Sequence, residues 1–215
     1  MVNSSTNPII MLMTFNSNEW KAVCEEFRGL ARLKESVTFG DDGIGTKECW
    51  YLTTISDVDI YGTHISDQGP AEAQQYATIF NADGRIRAII VVGVAFGIDS
   101  KDQKIGDILV AKEIWNYNPL RRNNDGSVKY SNAPKDTSAN IVDKLFSIYQ
   151  QRLNRGSSDR VHFGQYLSGA ELIDFEPRRK ELFSAASLGR DVIGGDMEAA
   201  GIAKVMSFGL KKIGV

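Results

Sequence analysis

The chain is poor in the residues that staple or coordinate: two cysteines, two histidines and five prolines in 215 positions. Cys24 and Cys49 show no Cys-x-x-Cys spacing, which excludes a disulfide framework and a zinc ribbon. His64 and His162 lie far apart with no ligand pattern around them, so no metal site is expected, and neither sits in a triad context. Charge of neither sign dominates: 25 Lys and Arg face 27 Asp and Glu, for a net charge of −2. Without a basic stripe, nucleic acid is excluded as a partner. No apolar run approaches the length of a membrane span, so no membrane partner is expected. The opening Met1–Asn7 lacks a basic n-region, and the run after it is too short for a signal h-region, so a cytoplasmic chain with reduced thiols is expected. Repeats and low-complexity tracts are missing too. There is no Gly-x-x-x-x-Gly-Lys-Ser/Thr and no Gly-x-Ser-x-Gly, and Gly43-x-Gly45 lacks the third glycine of a dinucleotide fingerprint. Any chemistry therefore rests on carboxylates, backbone groups and pocket shape, with no cofactor.

What the chain does contain is enough apolar residue, 42%, to build a core that buries roughly 70% of the unfolded surface. One domain spanning residues 1–215 is expected. Pro8–Phe15 is a continuous apolar run, as in a strand covered on both faces. Ser17 or Asn18 can cap a helix in which Trp20, Val23, Phe27 and Leu30 fall at helical spacing. Cys49–Val58 reads as a strand, Gly69-Pro70 as a break, and Ala71–Phe80 as a helix. Ala88–Val94 is the most apolar run and is expected to be the central strand, with Ile105–Ala111 as the next. Asn116–Lys135 is polar and aperiodic and reads as a long loop of the kind that carries function. A helix capped by Ser138 presents Ile141, Leu145, Ile148 and Leu153 on one face. Val161–Leu167 reads as a strand, Pro177 opens a helix, and Met197–Phe208 forms a small-residue helix ended by Gly209. Alternating strands and helices predict an α/β fold: a central mixed, largely parallel sheet flanked by helices. Leu210–Val215 looks like the start of a further strand, and an α/β domain rarely finishes on one. The expectation is therefore a domain lacking its last strand and helix.

Three segments stand out together: Thr14-Phe15-Asn16-Ser17-Asn18-Glu19, Val92-Gly93-Val94-Ala95-Phe96-Gly97 and Gly194-Gly195-Asp196-Met197-Glu198-Ala199-Ala200. Each falls at the carboxyl end of a strand or the start of a helix, where ligands gather in open α/β sheets. With Ile105-Gly106-Asp107-Ile108-Leu109-Val110 and Leu167-Ser168-Gly169-Ala170-Glu171-Leu172-Ile173, they resemble the nucleoside phosphorylase/nucleosidase superfamily, most closely its methylthioadenosine/S-adenosylhomocysteine nucleosidase-like branch. The resemblance runs over nearly the whole chain in the expected order.

The resemblance implies roles for particular positions. Glu19 matches the glutamate that activates the attacking water. Met197 and Glu198 match the pair whose glutamate hydrogen-bonds the ribose hydroxyls. Val94, Ala95 and Phe96 match the turn against base and sugar; Leu172 and Ile173 match the segment whose side chain stacks on the purine and whose backbone reads its edge. Cleaving a purine N-glycosidic bond passes through an oxocarbenium-like sugar. One carboxylate can stabilise that charge while another takes a proton from water. The family's purine-protonating aspartate lies on the strand after the Met-Glu helix, just beyond a segment like Leu210–Val215, and has no counterpart here. The phosphorylases hold phosphate with arginines where this chain reads Asn16-Ser17-Asn18 and Gly93-Val94-Ala95, so water is the expected nucleophile. Arg121 and Arg122, in the loop after Ile105–Ala111, are candidates for the phosphate of a 5′-nucleotide.

Each of these residues has a plainer reading. Glu19 alone is a first-turn helix glutamate favoured by the macrodipole. Met197, Phe96 and Leu172 alone are core filling, and Arg121 and Arg122 alone are solvated loop charges. Glu198, on an alanine-rich helix, needs a partner if buried. The expected function is hydrolysis of an adenine-type purine nucleoside or nucleotide to free base and a ribosyl product, in a homo-oligomer by resemblance. The alternatives are a non-catalytic nucleotide-binding domain of a larger protein and a phosphate-dependent phosphorylase.

Overall fold

A computed structural model describes residues 6–27, 36–41, 43, 45–98, 102–118, 120–126, 128–130, 135–137, 139–156, 158, 160–171, 173, 175–186 and 191–206. These fall into two compact units that meet in sequence between Val94 and Ala95; the last turn of the final helix, from Lys204, groups with the first. The architecture is α/β, with mixed sheets flanked by helices.

In the first unit the order is β1 (Ile9–Thr14), α1 (Ser17–Phe27), β2 (Ser36–Asp41), β3 (Gly45–Ile55), β4 (Val58–His64), α2 (Pro70–Ala82) and β5 (Ile86–Val91). The strands form one sheet in the order β2-β3-β4-β1-β5, with β1 parallel to both β4 and β5 and the remaining pairs antiparallel. The apolar run of β1 suits its place: Ile9, Met11, Met13 and Phe15 are all buried. Phe39 meets Tyr61 and Phe80 edge to face, at 5.2 and 6.2 Å between ring centres. Cys49 is a core residue, and burial pushes its thiol up to about 12, which leaves it protonated and inert.

Three expectations for this unit change. The strand read at Cys49–Val58 is two strands, because Ser56 and Asp57 both take positive φ (48° and 62°) and turn the chain into a two-residue hairpin that pairs Ile55 with Val58. Helix α1 is capped by Asn16, one residue ahead of the two expected; Leu30 lies outside the described residues. Among the described residues β5 ends the sheet order, and β1, not β5, lies between two neighbours.

The second unit holds β6 (Phe96–Gly97), β7 (Ile108–Asn116), β8 (Leu120–Arg122), β9 (Val128–Tyr130), β10 (Lys135–Asp136), α3 (Ala139–Asn154), β11 (Val161–Ser168), α4 (Glu176–Ala186), β12 (Val192–Asp196) and α5 (Ala199–Met206). Its main sheet runs β10-β7-β11-β12-β6, with the inner β7-β11-β12 pairs parallel and the outer pairs antiparallel. Trp115, Tyr117, Leu167, Ile173, Leu182 and Val192 form its core, with Phe96, Tyr130 and Phe183 packed on it.

Strand β7 starts three residues later than expected and runs further. Asp107 donates its N–H to the Lys104 carbonyl in a tight turn, which leaves Ile105 fully exposed before the strand begins. The segment Asn116–Lys135 is not structureless: β8 and β9 form a hairpin within it, and β10 pairs with β7. Ser138 and the stretch from Phe208 to Val215 lie outside the described residues. No helix among the described residues is long and apolar enough to cross a membrane.

Candidate functional site

In the first unit, Glu19 lies where β1 gives way to α1. Asn16 and Glu19 form a reciprocal cap: the Asn16 Oδ1 accepts the Glu19 N–H at 2.9 Å, and the Glu19 Oε2 accepts the N–H groups of Phe15 and Asn16 at 2.9 and 3.1 Å. The remaining oxygen reaches across the sheet end, where Oε1 accepts the Val94 N–H at 2.8 Å. Gly93 makes that reach feasible. A Cβ at residue 93 would lie 2.9 Å from Glu19 Oε1, closer than real Cβ contacts, and 3.2 Å from its Cδ. Three backbone N–H groups thus fix one carboxylate at the carboxyl ends of β1 and β5. Val94 itself is 80% exposed, so its contribution to this arrangement is its backbone.

In the second unit, Glu198 lies in the turn between β12 and α5 and is only 9% exposed. Its Oε2 accepts the Met197 N–H at 3.1 Å. The turn is held by two residues that the sequence reading did not assign. Asp196 Oδ1 accepts the N–H groups of Glu198 and Ala199 at 3.2 and 3.1 Å. Ser168, fully buried at the end of β11, accepts the Ala200 N–H on Oγ at 2.8 Å. Both satisfy orphan donors at the start of α5. Asp-Met-Glu before an apolar helix is a capping signal legible in the sequence; Ser168 comes from another strand, and only the β11–β12 pairing brings it there.

The other candidates separate clearly. Phe96 pairs with Gly195 across β6 and β12 and packs on the core. Ile173 is buried among Trp115, Tyr117 and Leu182, so its side chain is a core residue. Ala95 is half-buried, and Leu172 lies outside the described residues. Arg121 and Arg122 stand on β8, opposite Lys129 and Val128 of β9; their side chains lie outside what the structure describes. Among the described residues no cluster of three or more His, Cys, Asp or Glu could hold a metal ion.

Residues 19–209 match the sequence pattern of the phosphorylase superfamily. A curated relative, a death domain-containing ATP nucleosidase of Amphimedon queenslandica, is 23% identical over 210 residues, which cover 89% of this chain. The chain spans only 39% of that relative's length. Among solved structures, a candidate 5′-methylthioadenosine/S-adenosylhomocysteine nucleosidase from Borrelia burgdorferi, bound to adenine, superposes with a TM-score of 0.71 at 21% identity, covering 93% of this chain and 80% of that one. The futalosine hydrolase of Helicobacter pylori gives 0.68 at 19% identity, over 96% and 82%. These likenesses establish the fold.

Proposed function

The chain belongs to the phosphorylase superfamily, and from that premise we propose that it hydrolyses the N-glycosidic bond of an adenine-type purine nucleoside or nucleotide. The observation that carries the reading is the carboxylate of Glu19, held by three backbone N–H groups in the segment where the resemblance requires a water-activating glutamate. The names of the relatives support it: two are nucleosidases and the third is a hydrolase, so all three point to water as the acceptor.

In this reading the bond between ribose C1′ and the purine nitrogen breaks with its electron pair leaving on the base, and positive charge develops at C1′. Water adds its oxygen to C1′ and gives a proton to Glu19, which returns it to solvent, while the departing base takes up a proton from solvent; the sum is nucleoside plus water to base plus sugar. Glu198, with Met197 beside it, holds the ribose hydroxyls and places a buried negative charge near the developing cation. Val94, Ala95 and Phe96 line base and sugar, and Leu172 and Ile173 supply the segment that meets the purine. Arg121 and Arg122 meet the phosphate of a 5′-nucleotide, a role that the name of the ATP nucleosidase relative supports. A single nucleosidase domain, homo-oligomerisation and a cytoplasmic location belong to the same proposal.

The test is chromatography of free adenine after incubation with methylthioadenosine, adenosine, AMP and ATP, with and without added phosphate. Adenine release without phosphate, abolished by Glu198→Ala, is the expected result. Tight binding without release makes the chain a nucleotide-binding module, and release that requires phosphate makes it a phosphorylase. An Arg121→Ala/Arg122→Ala variant is expected to lose turnover of AMP and ATP while keeping that of adenosine; equal loss on all three removes the phosphate role.

A further inference from the structure

The turn Ser168–Glu171, which leads from β11 into the segment assigned to the purine, is held by the two consecutive residues that follow β7. Tyr117 donates its backbone N–H to the Ser168 carbonyl at 3.2 Å and its hydroxyl to the Glu171 carbonyl at 2.8 Å, so one residue grips both ends of the turn. Asn118 Oδ1 accepts the Ala170 N–H at 2.9 Å between those two points. The Tyr117 ring lies flat enough against Gly169 that a Cβ there would sit 2.5 Å from it and 2.7 Å from Asn118 Oδ1. Tyr117 is buried in the core, and burial pushes its phenol upward, so it keeps its proton and stays a donor. On the outer side the Arg178 guanidinium meets the Glu171 carboxylate at 3.2 Å through both Nε and Nη2, and reaches the Tyr130 hydroxyl at 2.8 Å.

A loop that reads a base through its backbone needs its amides and carbonyls fixed before the ligand arrives, because ordering them on binding costs affinity. A turn of small residues, Ser-Gly-Ala, has little side chain of its own with which to do this. We propose that Tyr117 and Asn118 are positioning residues for base recognition: they hold the Ser168–Glu171 turn, and through it the backbone that leads on to Ile173, in place for the purine. This rests on the nucleosidase reading above and adds to it a pair of residues that touch neither sugar nor water.

Three variants test it. Tyr117→Phe keeps the ring and removes one donor; Asn118→Ala removes the acceptor; Asn118→Asp restores an acceptor oxygen at the same place. The readouts are the Kd of free adenine by calorimetry, and KM and kcat for base release from whichever nucleoside the parent cleaves. Tyr117→Phe is expected to weaken adenine binding and raise KM by about tenfold, and Asn118→Ala, whose bond is exposed, by about threefold, as the loss of one hydrogen bond implies, with kcat within about threefold. Asn118→Asp is expected to stay near the parent. If melting temperature falls in the first two variants while KM and adenine binding stay put, the pair is merely structural and the proposal fails while the nucleosidase reading stands. A parent that neither binds nor releases adenine overturns both.

Discussion

The two glutamates are held in different ways. Glu19 is fixed mainly from within its own chain segment: Asn16, three residues away, completes the cap, and one long-range donor, Val94, takes the other oxygen. Glu198 is buried, and the turn beneath it is set by Asp196 from its own strand and by Ser168 from a neighbouring one. The first is a carboxylate aimed by helix capping, and the second is a carboxylate whose backbone is aimed by sheet pairing. A local device survives changes elsewhere in the sheet, whereas a cross-strand one depends on the register of β11 with β12.

The comparison breaks most sharply at Glu19. Glu19→Gln keeps the shape but turns an amide NH2 toward backbone donors, and removes the proposed base; adenine release is expected to fall by about 10²- to 10⁴-fold, with loss of about 1 kcal/mol of stability from the weakened cap. Turnover and a denaturation midpoint on the same preparation check both halves. Glu198→Gln is expected to cost about 10²- to 10³-fold in kcat/KM, since in the proposed reaction it removes the charge that faces the developing cation. Stability tells the two apart: Glu198→Gln relieves a buried charge and leaves the cap intact, so its melting temperature should fall less than that of Glu19→Gln.

Gly93→Ala places a methyl group against the Glu19 carboxylate and forces it to move; a loss of about 1–3 kcal/mol in stability is expected together with lowered turnover. Normal activity in that variant would show that the Glu19–Val94 contact has no catalytic consequence. Ser168→Ala strips the acceptor from the Ala200 N–H in a fully buried position and is expected to destabilise by about 1–3 kcal/mol. Its effect on turnover should exceed that of an equally destabilising change in the first unit, if sheet pairing is what aims Glu198.

The smallest effect separates acid sensitivity of the fold from that of the reaction. Arg85, through a side-chain hydrogen bond, holds the Asp83 carboxyl below the usual carboxylate range. Its stabilising contribution is therefore present above that range and is lost as pH falls through the lowered value. Because the pair is half-buried and still screened by solvent, Asp83→Asn is expected to cost only about 0.2–1 kcal/mol near neutral pH, and the difference from the parent should vanish in acid. Denaturation midpoints at several pH values follow it, and the pH profile of base release should not change.

How much of this was legible beforehand depends on the range of the interaction. The buried run of β1, the proline at the start of α2 and the carboxylate-bearing segments were all readable, because each is written in consecutive residues. The Ser56–Asp57 turn was missed: neither residue is a glycine, and positive φ at both is imposed by the strands on either side. The hairpin within Asn116–Lys135 was missed because its strands are three residues long, too short for an alternation to register. The resemblance assigned Ile173 to the segment that meets the purine, and only the fold shows that its side chain packs in the core, which leaves its backbone for that role.

By itself the sequence determined the α/β class and the family, and it singled out two glutamates as candidates, since periodicity, capping and motif order are properties of neighbouring residues along one chain. Only the tertiary structure decided that Gly93 yields space to Glu19, that Ser168 steadies the helix after Glu198, and that Tyr117 and Asn118 grip the turn beyond β11. These are contacts between residues tens of positions apart, and their partners are chosen by strand register, a quantity that no stretch of sequence carries alone.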